Sequence, residues 1–167
     1  MKYIKTNYSM FMLIALSAML VITLTGCTDS SAAKKAISED NTSIKEVKQE
    51  TQDLVKALGA YTAGQRDKAV QKAKTALNNM DKRIDVLEKR IDDNWDQMNK
   101  AAREKARTNL KTLRKQRTEA AEWYGSLKAS SAGAWEHTKK GFSEAYKALG
   151  DAWERSANEF DANKANK

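Results

Sequence analysis

Apolar positions change their rhythm several times along the chain, and each change predicts a boundary. Residues 10–24 read MFMLIALSAMLVITL, one unbroken apolar run. From there the pattern turns helical. Ile37, Ile44, Val47, Thr51, Leu54, Leu58 and Tyr61 recur at steps of three and four, the mark of a helix with one apolar stripe. Such a helix is expected to begin near Ala36. Gly59 and Gly64 then bracket GAYTAG, which reads as a turn.

Residues 65–124 contain no glycine, and the chain contains no proline, so no helix breaker interrupts them. A single helix over about 66–124 would reach ~90 Å at ~1.5 Å per residue. Its stripe is Val70, Ala73, Leu77, Met80, Ile84, Leu87 and Ile91. At Trp95 the spacing slips: 87, 91 and 95 are two consecutive steps of four, and further steps of four run from Met98 through Ala102 and Ala106 to Leu110 before Leu113 restores the 3-4 spacing. Such a stutter relaxes a left-handed supercoil locally. Asp92-Asp93-Asn94 offers the other outcome, a cap that starts a new helix. The absence of a breaker favours continuity.

GSLKASSAG, from Gly125 to Gly133, predicts the next turn, with Ser130 or Ser131 as a cap. The last helix is expected over about 134–162, weakened by Gly141 and Gly150. Trp135, Phe142, Tyr146, Leu149, Trp153 and Phe160 fall on it within a band of about 60°. Ala134-Trp135-Glu136 with Phe142 recurs as Ala152-Trp153-Glu154 with Phe160, a period of 18, or five helical turns. The expected fold is all-α: an elongated antiparallel helical bundle or coiled coil, with one long central helix (about 66–124) and two shorter helices folded back on it. The layout is a leader (1–26), a tether (27–35), a helical domain (36–162) and a tail (163–167).

Charge supports that arrangement. Residues 65–124 carry a balance of +6, whereas 36–58 and 134–161 each carry −2. Exposed ion pairs stabilise by only ~0.2–1 kcal/mol each, so they set pairing and register more than stability. The whole chain carries +8, and Lys2 and Lys5 lie in the leader, so the remainder carries +6. That excess favours anionic partners without naming one.

Two lysines followed by the apolar run describe an export signal, and the run is short for a membrane span. It ends in Leu24-Thr25-Gly26-Cys27, which resembles the lipobox of bacterial lipoproteins, where the cysteine thiol becomes lipidated. Cys27 is the only cysteine. What the resemblance implies is a membrane-anchored exported protein. Thr28 after the cysteine points to the outer membrane facing the periplasm, and Asp29 one place later weakens that assignment. Residues 28–35 (TDSSAAKK) suit a short tether.

Candidate chemistry is thin. His137 is the only histidine, stands beside Lys139 and Lys140, and has no evident partner as a base. Asp92 and Asp93 diverge by about 100° on a helix and do not form an acid pair. No phosphate loop, metal-ligand spacing or nucleophile elbow is present. The expectation is therefore a non-enzyme without catalytic residues, cofactor or metal. Lys100, Arg103, Arg107, Lys111 and Arg114 form a basic stripe. An exported protein would offer it to phosphorylated lipids or cell-wall carboxylates, not to nucleic acid, or would pair part of it with the acidic last helix. Arg117, close to the apolar seam, is the best candidate for an interhelical ion pair. Lys167, the final residue, invites comparison with the small murein lipoprotein bonded to peptidoglycan through its terminal lysine.

From about Tyr61 to Phe160 the chain resembles a family of small, largely uncharacterised bacterial coiled-coil proteins, some labelled stress-response proteins. The likeness is carried by YTAGQRDKAVQKAKTALNNMDKRIDVLEKRI and LKTLRKQRTEAAEWYGSLKASSAGAWEHTKKGFSEAYKALGDAW. The resemblance implies a helical coiled coil linked to envelope or stress physiology, and supplies no catalytic residues. The reading that results is a lipid-anchored structural or interaction module, of open oligomeric state, bound to the membrane through Cys27. An envelope protein or an anionic envelope polymer would be its partner. The alternative is a membrane-surface binder that uses the aromatic last helix.

Overall fold

Serine, asparagine and two short turns, not glycine or proline, decide where the helices begin and end. The computed structural model describes residues 43–165. Helix α1 (Ile44–Gly59) starts at Ser43, whose backbone is extended. The Ser43 hydroxyl accepts from the Glu46 N–H at 3.2 Å, and the Glu46 carboxylate accepts from the Ser43 N–H at 2.9 Å. This reciprocal cap satisfies two otherwise orphaned donors. The helix therefore does not run continuously from near Ala36, and Ile37 lies outside the described residues. Val47, Thr51, Leu54 and Leu58 form its buried stripe, as their spacing predicts.

Helix α2 (Arg66–Asp93) ends where a single long helix was expected to continue. Asn94 donates its side-chain amide to the Arg90 carbonyl at 2.8 Å, and Trp95–Gln97 form one 3₁₀ turn. Asn99 is extended, and its side-chain oxygen accepts from the Ala102 N–H at 2.9 Å, opening helix α3 (Lys100–Ala129). Two asparagines thus satisfy backbone groups that a continuous helix would have paired internally. The stutter at Trp95 marks the right place. The expected rod of about 66–124 is a hairpin, and the cap is Asn99 rather than Asp92-Asp93-Asn94.

Ion pairs fix the register of that hairpin. Arg66 reaches the Ser130 carbonyl at 2.6 Å, Arg117 pairs with Asp81, and Arg114 meets Glu88 at 2.8 Å. As one partner advances the other retreats, so α2 and α3 are antiparallel. Helix α3 also outlasts the expected boundary and carries Gly125 inside it. The following turn is confined to Ser130–Ala134, where the Ser131 hydroxyl accepts from the Ala134 N–H. Helix α4 (Trp135–Ala165) completes an up-down-up-down bundle of four helices among the described residues. It runs antiparallel to α1 and α3 and parallel to α2.

The helix that packs most extensively against its neighbours is α4, chiefly against α3 and α1. Its aromatic stripe faces the centre of the bundle, with small residues on either flank. On one side Gly150 lies against Thr51 of α1. On the other, Gly141 lies under the Trp123 ring of α3, and Ala145 and Ala152 are buried. Small side chains let neighbouring backbones approach, while the aromatic band fills the space between them. Each large apolar side chain so buried contributes ~1.5–3 kcal/mol. The spine of this protein is its last helix, not its longest glycine-free stretch. No described helix is long and apolar enough to cross a membrane.

Candidate functional site

Polar atoms on the aromatic stripe fasten helices together. The Trp135 indole donates to the Tyr61 carbonyl at 3.1 Å, and the Trp153 indole donates to the Arg83 carbonyl at 3.3 Å. Between them Tyr146 donates to the Ala76 carbonyl at 3.2 Å. Burial pushes the Tyr146 phenol up to about 12, because the phenolate would lose its hydration there. Trp135, Phe142, Tyr146, Leu149, Trp153 and Phe160 are all at most 5% exposed. The sequence brings them together as expected, and they line the protein interior.

At the end formed by Tyr61–Gln65 and Ser130–Ala134 the two turns are stitched to each other. Besides Trp135, the buried Lys139 ammonium donates to the carbonyls of Tyr61 at 3.1 Å and Gly59 at 3.5 Å, and to Glu136 at 2.9 Å. A cation at these last carbonyls of α1 complements the negative end of the helix. The side chain of Lys139 also lies over the Trp135 ring. His137 stands outside this cluster, exposed, with its ring edge-on to Trp123 at 5.5 Å.

The basic stripe is divided between structural and open roles. Arg114 is bound by Glu88 of α2, and that hydrogen bond holds its guanidinium above the usual arginine range. Arg117 makes a two-pronged pair with Asp81, whose second bond, from Nη2 to Oδ2, is 2.7 Å. That pairing outweighs partial burial and likewise raises Arg117. Arg117 is thus the interhelical pair that its position predicts. The cations that meet the last helix, Lys105 to Glu159 and Arg90 to Asp161, lie outside the stripe, so the pairing expected between the stripe and that helix is made by their neighbours instead. Lys100, Arg107 and Lys111 have no ion-pair partner among the described residues.

Two members of the stripe, Arg103 and Arg107, lie over a residue that the sequence marks only as a spacing defect. Trp95, in the turn between α2 and α3, is half-buried. The Arg107 guanidinium lies 4.8 Å from its ring centroid and that of Arg103 lies 5.6 Å away. Arg103 also donates to the carbonyls of Trp95 at 2.9 Å and Asp96 at 3.2 Å, which holds the turn in shape. The signal was available: a lone tryptophan among charged residues, two helical turns before Arg103. Reading the segment as one continuous helix hid it, because Trp95 then joined the seam.

A second feature is a groove of about 650 Å³ between α1 and α2. Leu54, Tyr61, Ala76 and Tyr146 contribute to its lining, with Lys68 and Lys72 on the α2 wall and Glu50 and Asp53 on the α1 wall. Glu50 is bridged to Arg83 at 2.8 Å, and Asp53 accepts from Gln49 at 3.0 Å. Among the described residues no group of three or more His, Cys, Asp or Glu is placed to hold a metal ion. Cys27 and Lys167 lie outside the described residues, so their surroundings are not part of this geometry. Comparison of the chain with family models, with curated proteins and with solved structures finds no match.

Proposed function

We propose that this chain is an exported, lipid-anchored envelope protein, held to the outer membrane through Cys27, that serves as a structural or interaction module and performs no catalysis. The observation that carries this reading is the leader itself: a basic start, an apolar run over residues 10–24, and Leu24-Thr25-Gly26-Cys27 at its end. Lipidation by more than one chain anchors stably, whereas a single chain binds only marginally. The fold behind the leader supports the second half of the proposal. Tyr146, Trp135, Trp153 and Lys139 point inward and donate to backbone carbonyls that join one helix to another. Their chemistry is used to set helix positions, which suits a module that presents a fixed surface.

An envelope protein or an anionic envelope polymer is the partner class that fits the charged exterior. The resemblance to bacterial coiled-coil proteins with stress-response labels suggests when such a module would be needed. Membrane binding through the aromatic face of α4 fits less well, since all six stripe side chains would have to leave the core. The anchor is tested by replacing Cys27 with serine in cells fed labelled palmitate. The wild-type protein is expected to take up label and fractionate with the outer membrane. The variant is expected to lose the label and either remain unprocessed or appear in soluble fractions. Unchanged labelling and fractionation in the variant would refute the anchor.

A further inference from the structure

The two ends of the bundle are not equivalent. One is closed by the stitched turns around Tyr61 and Ser130. The other carries the Trp95 turn, the beginning of α1 and the end of α4. The register places them there: Lys48 of α1 pairs with Glu154, and Arg90 and Lys105 pair with Asp161 and Glu159. Ser43, five residues before Lys48, therefore stands at the same end as Arg90, a turn before Trp95. The chain arriving from Cys27 enters the bundle at the Trp95 end.

Reach makes this matter. Fifteen residues separate Cys27 from Ser43. As a flexible tether, a segment of that length would span roughly 21 Å. The 30-residue α3 is ~45 Å long. An anchor at Cys27 thus favours the Trp95 end as the membrane-facing end. That end presents a half-buried indole flanked by two guanidiniums, with exposed Lys100 and Lys111 nearby in sequence on the same helix face.

We propose that the α2–α3 tip, through Trp95, Arg103, Arg107 and Lys100, docks onto anionic phospholipid headgroups and holds the bundle end-on to the membrane that carries its anchor. The indole is amphipathic and settles at the headgroup level. Guanidinium groups bind phosphate oxygens with two parallel hydrogen bonds. Asp92, Asp93 and Asp96 share this end, with Asp93 bridged by Lys89, so bulk charge alone would not hold the tip there. The specific elements are the ring and the cations without an acidic partner beside it. Docking rests on the anchor reading for the side it faces, while its residues are chosen by the tip geometry alone.

The test uses the lipidated full-length protein reconstituted into phosphatidylcholine vesicles with or without phosphatidylglycerol, the lipids brominated near the headgroup. Quenching of tryptophan fluorescence is the readout. Trp135 and Trp153 are in the core, and half-buried Trp123 lies against His137 toward the opposite end, so quenching in anionic vesicles is expected to come mainly from Trp95 and to fall by more than half in Trp95→Phe. At ~1 kcal/mol per basic side chain near an anionic surface, Lys100→Gln with Arg107→Gln should lower the docked-to-free ratio about thirtyfold. Lys68→Gln with Lys72→Gln, the same charge change at the opposite end, should leave quenching unchanged. Thermal melts followed by circular dichroism establish that each variant is folded. Equal quenching in wild type and Trp95→Phe would overturn the proposal. So would an equal loss in the Lys68/Lys72 variant, or Trp95-dependent capture by isolated peptidoglycan without vesicle quenching. If Cys27 proves unlipidated, flotation of the same variants with added vesicles reads the tip independently, so the anchor and the tip can fail separately.

Discussion

Tyr146 shows how one side chain is tied to the stability of the whole bundle. Its phenol is buried and donates to the Ala76 carbonyl across the core. Folding raises its pKa from 10.0 to about 12. Between those values the unfolded chain releases the proton while the folded chain keeps it, so stability falls as pH rises through the window. Below pH 10 both forms are protonated and the contribution is fully present. Tyr146→Phe is expected to cost ~0.5–1.5 kcal/mol at neutral pH through the lost hydrogen bond. Urea unfolding from pH 8 to 12 should show a steeper decline for wild type than for the variant. Parallel declines would mean that the phenol is hydrated in the folded protein.

Glycines in helices carry different meanings that only packing separates. On α4, a Cβ at Gly141 would overlap the Trp123 ring of α3. On α3, a Cβ at Gly125 meets nothing within 4 Å. Alanine in a helix interior is better than glycine by ~0.5–1 kcal/mol. Gly125→Ala should therefore stabilise by about that amount. Gly141→Ala should destabilise by ~1–3 kcal/mol, because the ring must move against its neighbours. Thermal melts of the two variants should shift in opposite directions; a shared direction would contradict the close α3–α4 contact. From sequence Gly141 reads as a weak point in a helix and Gly125 as the start of a turn. The buried positions of α1, those of α2 from Ala73 on, and the aromatic band of α4 were legible, because spacing at 3.6 residues per turn reports a face directly; at the start of α2 Ala69 is buried where Val70 was expected. Which face needs a glycine depends on what lies opposite, and spacing does not contain that.

The same limit governed the shape of the molecule. Residues 65–124 lack glycine and proline, and the composition argued for one rod. Asn94 and Asn99 reverse the chain by supplying side-chain hydrogen bonds to the ends of two helices. The reversal lets α3 pack closely against α4 and lets Arg114 and Arg117 meet Glu88 and Asp81. Charge totals had suggested acidic short helices against a basic long one, but the strongest pairing joins two halves of the stretch assumed to be straight. The basic stripe was legible as a stripe. Its division into bound and open cations, and the position of Trp95 among the open ones, followed only once the hairpin was known. The proposed docking depends on that reversal, since it creates the tip and brings it to the end where the chain enters.

The most direct measurement is a distance between spin labels at Lys68→Cys and Lys128→Cys, in a chain carrying Cys27→Ser so that no other thiol is present. Both positions are exposed, and they lie sixty residues apart. Antiparallel neighbours with axes ~8–10 Å apart place such labels roughly 15–25 Å from each other. One continuous helix would separate them by ~90 Å. A narrow distribution in the short range is the expected result. A population beyond about 60 Å, the signature of a straight ~1.5 Å-per-residue helix, would contradict the hairpin and the tip built on it.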